Sequence, residues 1–213
     1  MVELVFILDR SGSMSGLEKD TIGGFNSMLK KQRKESGEAY VTTVLFDSNI
    51  KMIHDRENIK YIPDMTEEDY YVGGCTALLD AIGESICHIN NIHKYSRKED
   101  IPERTLFIIT TDGMENASHK YSYDDIHHMI EYQKKNHKWE FIFLGANIDA
   151  VAEARKFGID EDMAVKYKCD SIGTSLNYDA INDAISSVRK CSAPLTGKWK
   201  KNIEKDYQRR GEE

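Results

Sequence analysis

Apolar residues alternate along this chain between short continuous runs and longer stretches with helical spacing. Five runs rich in Val, Ile, Phe and Thr predict β-strands at 2–8, 40–46, 105–111, 140–145 and 163–167. Several of these runs are apolar at consecutive positions, which is typical of strands that helices cover on both faces of a sheet. A weaker extended segment at 50–62 predicts an edge strand that pairs with the second run.

Helical spacing fills the intervals between the predicted strands. The first helix is expected over 15–35, with the glycine pair at 23–24 as its weak point. The second is expected to begin near Thr76, and the third follows the segment SYDD at 122–125, which has the spacing of a capping box. A final amphipathic helix is expected over 174–190.

The element order, β-α-β-β-α-β-α-β-α-β-α, predicts an α/β fold. We expect a Rossmann-like, doubly wound and mostly parallel sheet of about six strands, with helices on both faces. A chain of 213 residues suits one domain, which we assign to 1–191. The segment 192–213 carries six Lys or Arg against four Asp or Glu. We expect it to be a frayed, charged tail, with packing through Trp199 as the alternative.

Composition restricts the class of function. The net charge of −7 disfavours nucleic-acid binding, which depends on a basic face. No apolar run approaches the roughly 20 residues that span a bilayer, and the N-terminal run is interpreted as a strand rather than a signal peptide. The cysteines lack CxxC spacing, so reduced thiols in a cytoplasmic protein are expected. They are Cys75, Cys87, Cys169 and Cys191.

Oxygen-bearing side chains follow the predicted strands at their carboxyl ends. Asp9 closes the first strand, and Ser11 and Ser13 lie on the loop after it. Asp112 closes the strand TLFIITTD, and Thr76 lies in the glycine-rich segment GGCTALLDAI. Ligands of open parallel sheets gather at this edge, so we expect the five side chains to converge. Two carboxylates and three hydroxyls are hard donors that suit Mg²⁺, Mn²⁺ or Ca²⁺ rather than zinc or copper.

The segments DRSGSM, GGCTALLDAI and TTDGMEN resemble those of a von Willebrand factor A (vWA) domain with a metal-ion-dependent adhesion site, or MIDAS. The resemblance covers roughly residues 1–190. It implies a sheet with one antiparallel edge strand, and it implies protein binding through an acidic partner residue on the metal. Carried over position by position, it implies five metal ligands: Asp9, Ser11, Ser13, Thr76 and Asp112. We therefore expect a stand-alone cytoplasmic module that binds a protein partner and neither nucleic acid nor membrane, and that is not an enzyme.

Two alternatives stay open. A Mg²⁺-dependent phosphohydrolase of the haloacid dehalogenase type also begins with a strand that ends in Asp. That class needs a second acid two residues later, where this chain has Ser11, and a pair of acids on the last metal loop, where it has Asp112 and Glu115. The other alternative is a scaffold subunit that binds its partner without metal.

Other polar residues near these segments receive structural roles. We expect Glu115 and Asn116 to shape the rim of the site and Asp80 to accept a hydrogen bond behind it. Cys75 is interpreted as a small packing residue. The seven histidines form no ligand spacing, so surface or helix-end positions are expected for them.

Overall fold

The computed structural model describes residues 1–190 and 193–211. Within these residues six strands form one sheet. They are β1 (Val2–Asp9), β2 (Ala39–Phe46), β3 (Ile50–Asn58), β4 (Arg104–Thr111), β5 (Glu140–Ala146) and β6 (Ala164–Tyr167).

The strand order is β3-β2-β1-β4-β5-β6, and β1 lies inside the sheet. Strands β2 and β3 pair in antiparallel fashion, while the other neighbours are parallel. The five predicted strands are confirmed to within one residue at each end. The weaker segment at 50–62 contains the antiparallel edge strand β3, which ends at Asn58, four residues earlier than predicted. The doubly wound α/β fold is therefore as expected.

Helices cover both faces of this sheet. They are α1 (Glu18–Gln32), α2 (Leu78–Tyr95), α3 (Tyr123–His137), α4 (Ala150–Lys156), α5 (Ser171–Lys190) and α6 (Lys201–Gly211). Helix α1 begins three residues later than predicted because the loop after β1 first makes a 3₁₀ turn over Gly12–Met14. Ser122 and Asp125 form the predicted capping box of α3. Across the described ranges, no helix is long and apolar enough to cross a membrane.

Strand β1 shows why its sequence is continuously apolar. Leu4, Phe6 and Leu8 face the core layer that the sheet shares with α1 and α5. Val5 and Ile7 face the opposite layer, which α2 and α3 cover. Because both faces are buried, polar residues do not alternate with apolar ones along this strand.

The glycine pair of α1 has two different environments. A Cβ on Gly24 would lie 2.2 Å from the Tyr178 ring, so this glycine allows α1 to pack closely against α5. A Cβ on Gly23 would have no neighbour within 4 Å. The pair is thus a weak point in helix propensity, and one of its members is required for packing.

The expectation of a frayed tail is wrong for residues 193–211. Trp199 and Ile203 are buried in the core layer of α1 and α5. Lys200 Nζ donates hydrogen bonds to the main-chain oxygens of Glu161 at 2.8 Å and Ala164 at 2.9 Å. The tail therefore folds onto the end of the sheet beside β6, whereas the predicted boundary at 191–192 lies outside the described residues.

One histidine departs from the expected surface position. His54 of β3 is buried, its ring stacks on Phe25, and its Nδ1 lies 3.0 Å from Thr43 Oγ1. Burial lowers the pKa of His54, because the charged imidazolium loses its hydration.

Candidate metal centre

The ends of β1 and β4 place the two candidate carboxylates at one edge of the sheet. These strands are parallel neighbours, and Leu8 lies opposite Thr110. Asp9 is the last residue of β1, and Asp112 follows the last residue of β4. The pairing of β1 with β4 thereby brings Asp9 and Asp112, which lie about a hundred positions apart in sequence, to the same edge of the sheet.

Direct contacts join the serine loop to these carboxylates. Asp9 Oδ1 accepts a hydrogen bond from the main-chain N–H of Ser11 at 2.7 Å. The hydroxyls of Ser11 and Ser13 lie 3.0 Å apart, and Ser13 Oγ donates to Asp112 Oδ1 at 2.6 Å. Four of the five predicted residues thus form one connected group.

Thr76 reaches the same group from the start of α2. A Cβ on Gly113 would lie 3.3 Å from Thr76 Oγ1 and 3.5 Å from Ser13 Oγ, so both hydroxyls lie beside this glycine. The Asn116 side chain accepts a hydrogen bond from Thr76 N–H at 2.9 Å, and Asn116 N–H donates to the Thr76 main-chain oxygen at 3.1 Å. The structure therefore places Thr76 beside Ser13 and, through Ser13, next to the connected group.

The glycine-rich segment before Thr76 is attached to the serine loop. Gly12 N–H donates to the Gly74 main-chain oxygen at 3.2 Å. Gly74 has a φ of 71°, and a Cβ there would lie 2.9 Å from Ser48 Oγ. A residue with a side chain would be strained at this position, which explains the glycine. The neighbouring Cys75 is exposed, so its interpretation as a packing residue is wrong.

The rim residues have the structural roles that were expected, with one change. Glu115 accepts main-chain hydrogen bonds from Leu79 at 2.9 Å, Ala117 at 2.8 Å and Ser118 at 2.7 Å, so it ties the loop after β4 to the N-terminus of α2. Asp80 accepts hydrogen bonds from three consecutive main-chain amides at 119–121. Asp80 therefore supports that loop rather than Thr76.

Three contacts to Asp9 and Asp112 were not predicted. Thr111 Oγ1 donates to Asp9 Oδ2 at 2.6 Å, and the Tyr70 hydroxyl donates to the Asp9 main-chain oxygen at 2.5 Å. Cys169 Sγ lies 3.6 Å from Asp112 Oδ2. Thr111 is adjacent to Asp112 in the segment TTD, which offered a signal, whereas Tyr70 and Cys169 approach from distant parts of the chain.

Arg10, between Asp9 and Ser11, is buried and is bound away from the candidate carboxylates. Its Nε lies 3.1 Å from Asp47 Oδ2, in an ion pair whose angle is unsuited to a hydrogen bond. Its guanidinium carbon lies 4.5 Å from the centre of the Tyr71 ring. Arg10 therefore supports the loop without neutralising the site.

Solved structures share this architecture. The PilB minor pilin of Streptococcus sanguinis, determined as a mutant, matches with a TM-score of 0.62 and 13% identity, over 91% of this chain and 63% of that chain. A von Willebrand factor type A protein from Catenulispora acidiphila matches with a TM-score of 0.58 and 14% identity, over 87% of this chain and 42% of that chain. The chain has a vWA fold.

A further solved structure has a similar fold. Proximal thread matrix protein 1 of the mussel byssus, with a zinc-occupied MIDAS motif, matches with a TM-score of 0.58 and 13% identity, over 87% of this chain and 46% of that chain. The chain thus spans less than two thirds of each of these three neighbours. No protein-family model and no curated protein matches the sequence.

Burial sets the electrostatics of the site. Loss of hydration raises the pKa of Asp9, and the nearby Asp112 carboxylate raises it further, while hydrogen bonds from Thr111 and Ser11 lower it. Among the described residues, no Lys or Arg forms an ion pair with either carboxylate. Two buried acids next to each other without a basic partner favour a bound cation.

The predicted donors fit a hard divalent ion, because they are hydroxyl and carboxylate oxygens. Among the described residues, no group of three or more His, Cys, Asp or Glu side chains is placed to hold a metal ion. Asp9, Ser11, Thr76 and Asp112 are buried, whereas Ser13 is exposed. The buried oxygen donors would therefore hold the ion on its protein side, and the ion would be accessible to solvent beside Ser13.

Proposed function

We propose that this vWA domain is a non-enzymatic protein-binding module that acts through a divalent cation. The observation that supports it is the contact of Asp9, Ser11, Ser13 and Asp112, with Thr76 beside them. These five residues would hold the metal. Mg²⁺ is our first choice because octahedral oxygen coordination with few protein carboxylates suits it, and Mn²⁺ or Ca²⁺ are the other candidates.

An Asp or Glu of the partner would complete the coordination. Three of the five donors are neutral hydroxyls, so the bound ion would supply Lewis acidity for one further anionic oxygen. The exposure of Ser13 gives a partner side chain access from solvent. Two structural neighbours are consistent with this proposal, since one is a pilus subunit and another has an occupied MIDAS. A cytoplasmic location remains part of the proposal.

The phosphohydrolase alternative lacks its acids. That chemistry needs a second acid two residues after Asp9, where Ser11 lies against Ser13. Glu115, the other acid near Asp112, accepts main-chain hydrogen bonds at the start of α2. Because Glu115 is bound there, it is not available to hold a metal beside Asp112, and we prefer the binding function.

Calorimetric titration with Mg²⁺, Mn²⁺, Ca²⁺ and Zn²⁺ tests the metal site. Asp9→Ala and Asp112→Ala should each weaken binding by more than the roughly 100-fold that loss of an outer-shell partner can cost. Asp124→Ala, which removes an exposed acid at the start of α3, should bind like the wild type. Unchanged affinity in both site variants would contradict the assignment.

Partner binding distinguishes the module from a metal-independent scaffold. Capture of a partner from native lysate should succeed with Mg²⁺ and fail with EDTA, and Asp112→Ala should abolish it while Asp124→Ala retains it. Equal capture with and without EDTA would favour the scaffold. Turnover of a generic phosphate ester with Mg²⁺ would favour the phosphohydrolase.

A further inference from the structure

An open cleft lies beside the metal centre, between the ends of β5 and β6 and helix α6. We call it the β6 cleft, and its volume is about 390 Å³. The lining side chains that matter here are Asn147, Lys166, Lys168, Cys169, Asp170 and Tyr207.

One side chain separates this cleft from the metal centre. Cys169 lines the β6 cleft, and its Sγ lies 3.6 Å from Asp112 Oδ2. The other oxygen of Asp112 accepts the hydrogen bond from Ser13. A partner segment bound at Ser13 and Asp112 would therefore lie beside the β6 cleft.

The β6 cleft carries positive charge that no carboxylate of residues 1–190 and 193–211 neutralises through an ion pair. Among the described residues, neither Lys166 nor Lys168 has a carboxylate within ion-pair distance. Lys166 Nζ lies 5.2 Å from the centre of the Tyr207 ring, and Lys168 Nζ donates to the main-chain oxygen of Arg210. Asp170, the acid on the cleft wall, is paired with Arg210 at 2.5 Å. On a protein of net charge −7, this basic cleft is a local exception.

The walls of the β6 cleft are fixed by contacts between separate elements. Arg210 of α6 binds Asp170 on the loop before α5, and it also pairs with Asp206 on its own helix.

We propose that the β6 cleft receives a second carboxylate of the partner segment whose first carboxylate completes the metal site. The inference rests on the proposed function and specifies its partner as a segment with two nearby acidic residues. Lys166 and Lys168 would pair with the second acid. An ion pair at such an open site should strengthen binding by about two- to fivefold.

Peptides in solution test the proposal. The Mg²⁺-loaded protein is titrated, with NMR detection, against a Gly/Ser peptide carrying one Asp and against peptides with a second Asp one, two or three residues away. The best two-Asp peptide should bind at least about twofold tighter than the one-Asp peptide. It should also shift the amides of Asn147 and 166–170, which line the β6 cleft.

Lysine variants distinguish binding in the β6 cleft from a general effect of the protein's charge. Lys166→Gln should remove the gain from the second Asp, whereas Lys205→Gln, an exposed charge on α6, should retain it. Lys168→Gln gives an independent second variant. Absence of any gain, or a gain that survives both cleft variants, would overturn the inference.

The remaining outcomes show whether the cleft proposal or the proposed function has failed. If the one-Asp peptide binds only with Mg²⁺ and a second Asp adds nothing, the cleft proposal alone is wrong. If no peptide shows Mg²⁺-dependent shifts, the proposed function fails together with it. If inorganic phosphate without Mg²⁺ shifts the cleft amides as strongly as the two-Asp peptide, the cleft is a free-anion site and the proposal is overturned.

Discussion

Asp9 uses both oxygens of its carboxylate before any metal is bound. Oδ1 accepts from Ser11 N–H at 2.7 Å, and Oδ2 accepts from Thr111 Oγ1 at 2.6 Å. Thr111 is fully buried, so bulk water could not replace its hydroxyl as the donor to Asp9 if Thr111 were substituted. The orientation of this carboxylate therefore depends on a residue that is not itself a proposed ligand.

Replacement of Thr111 tests that dependence. Thr111→Val keeps the volume and removes the donor, and we expect Mg²⁺ affinity to fall about tenfold, as for other outer-shell partners. Thr111→Ser keeps the hydroxyl and should remain close to wild type. Calorimetry gives the affinities, and circular dichroism checks that both variants are folded. Equal affinity in the two variants would show that Thr111 does not orient Asp9.

Residue-level prediction succeeded where local sequence carried the information. Asp9, Ser11 and Ser13 follow one strand, and Asp112 follows another, so strand ends alone placed them at one edge. Tyr70 reaches the main-chain oxygen of Asp9, and Cys169 reaches the carboxylate of Asp112, both from loops remote in sequence. Nothing in their local pattern marks such contacts, because they depend on how the loops fold over the completed sheet.

Among the elements, α1 and α5 show how one glycine sets a helix–helix distance. The Tyr178 ring of α5 occupies the space that a Cβ on Gly24 would need. Both helices contribute to one core layer with Leu4 and Phe6 of β1. Any separation of α1 from α5 would therefore loosen the packing beneath them.

Two single-methyl substitutions should have opposite effects. Gly24→Ala overpacks against Tyr178 and should lower the free energy of unfolding by about 1–3 kcal/mol. Gly23→Ala points into open space and should raise it by roughly 0.5–1 kcal/mol, because alanine favours the helix. Urea unfolding measures both. A stabilised Gly24→Ala variant would show that the Tyr178 contact is not tight.

Element prediction was accurate for strands and incomplete at the C-terminus. The continuous apolar runs located the strands because burial on both faces leaves a strong signal. The C-terminal segment offers few apolar residues, chiefly Leu195, Trp199 and Ile203, and its attachment also uses Lys200 bonds to main-chain oxygens. The spacing of apolar residues indicates which face of a helix is buried, but it does not indicate hydrogen bonds such as those of Lys200. The ordered tail was therefore not predicted.

At the scale of the whole molecule, the tail is part of the core rather than an appendage. Trp199 lies in the same buried layer as α1 and α5. Trp199→Ala should lower the free energy of unfolding by about 3 kcal/mol or more, since it leaves a large cavity. Lys198→Ala, its exposed neighbour, should change it by less than about 0.5 kcal/mol. Urea unfolding followed by circular dichroism compares the two, and equal stabilities would contradict the packing of the tail.

The position of β1 inside the sheet has a consequence for biosynthesis. Its partner β2 ends at Phe46, but its other neighbour β4 ends only at Thr111. At about 5–20 residues per second, translation takes several seconds to cover that interval. During this time one edge of β1 in the nascent chain lacks its partner strand, and its free main-chain N–H and C=O groups are a template for wrong pairing. Asp9 is synthesised long before Asp112, so the proposed metal site can be complete only after more than half the chain has been made.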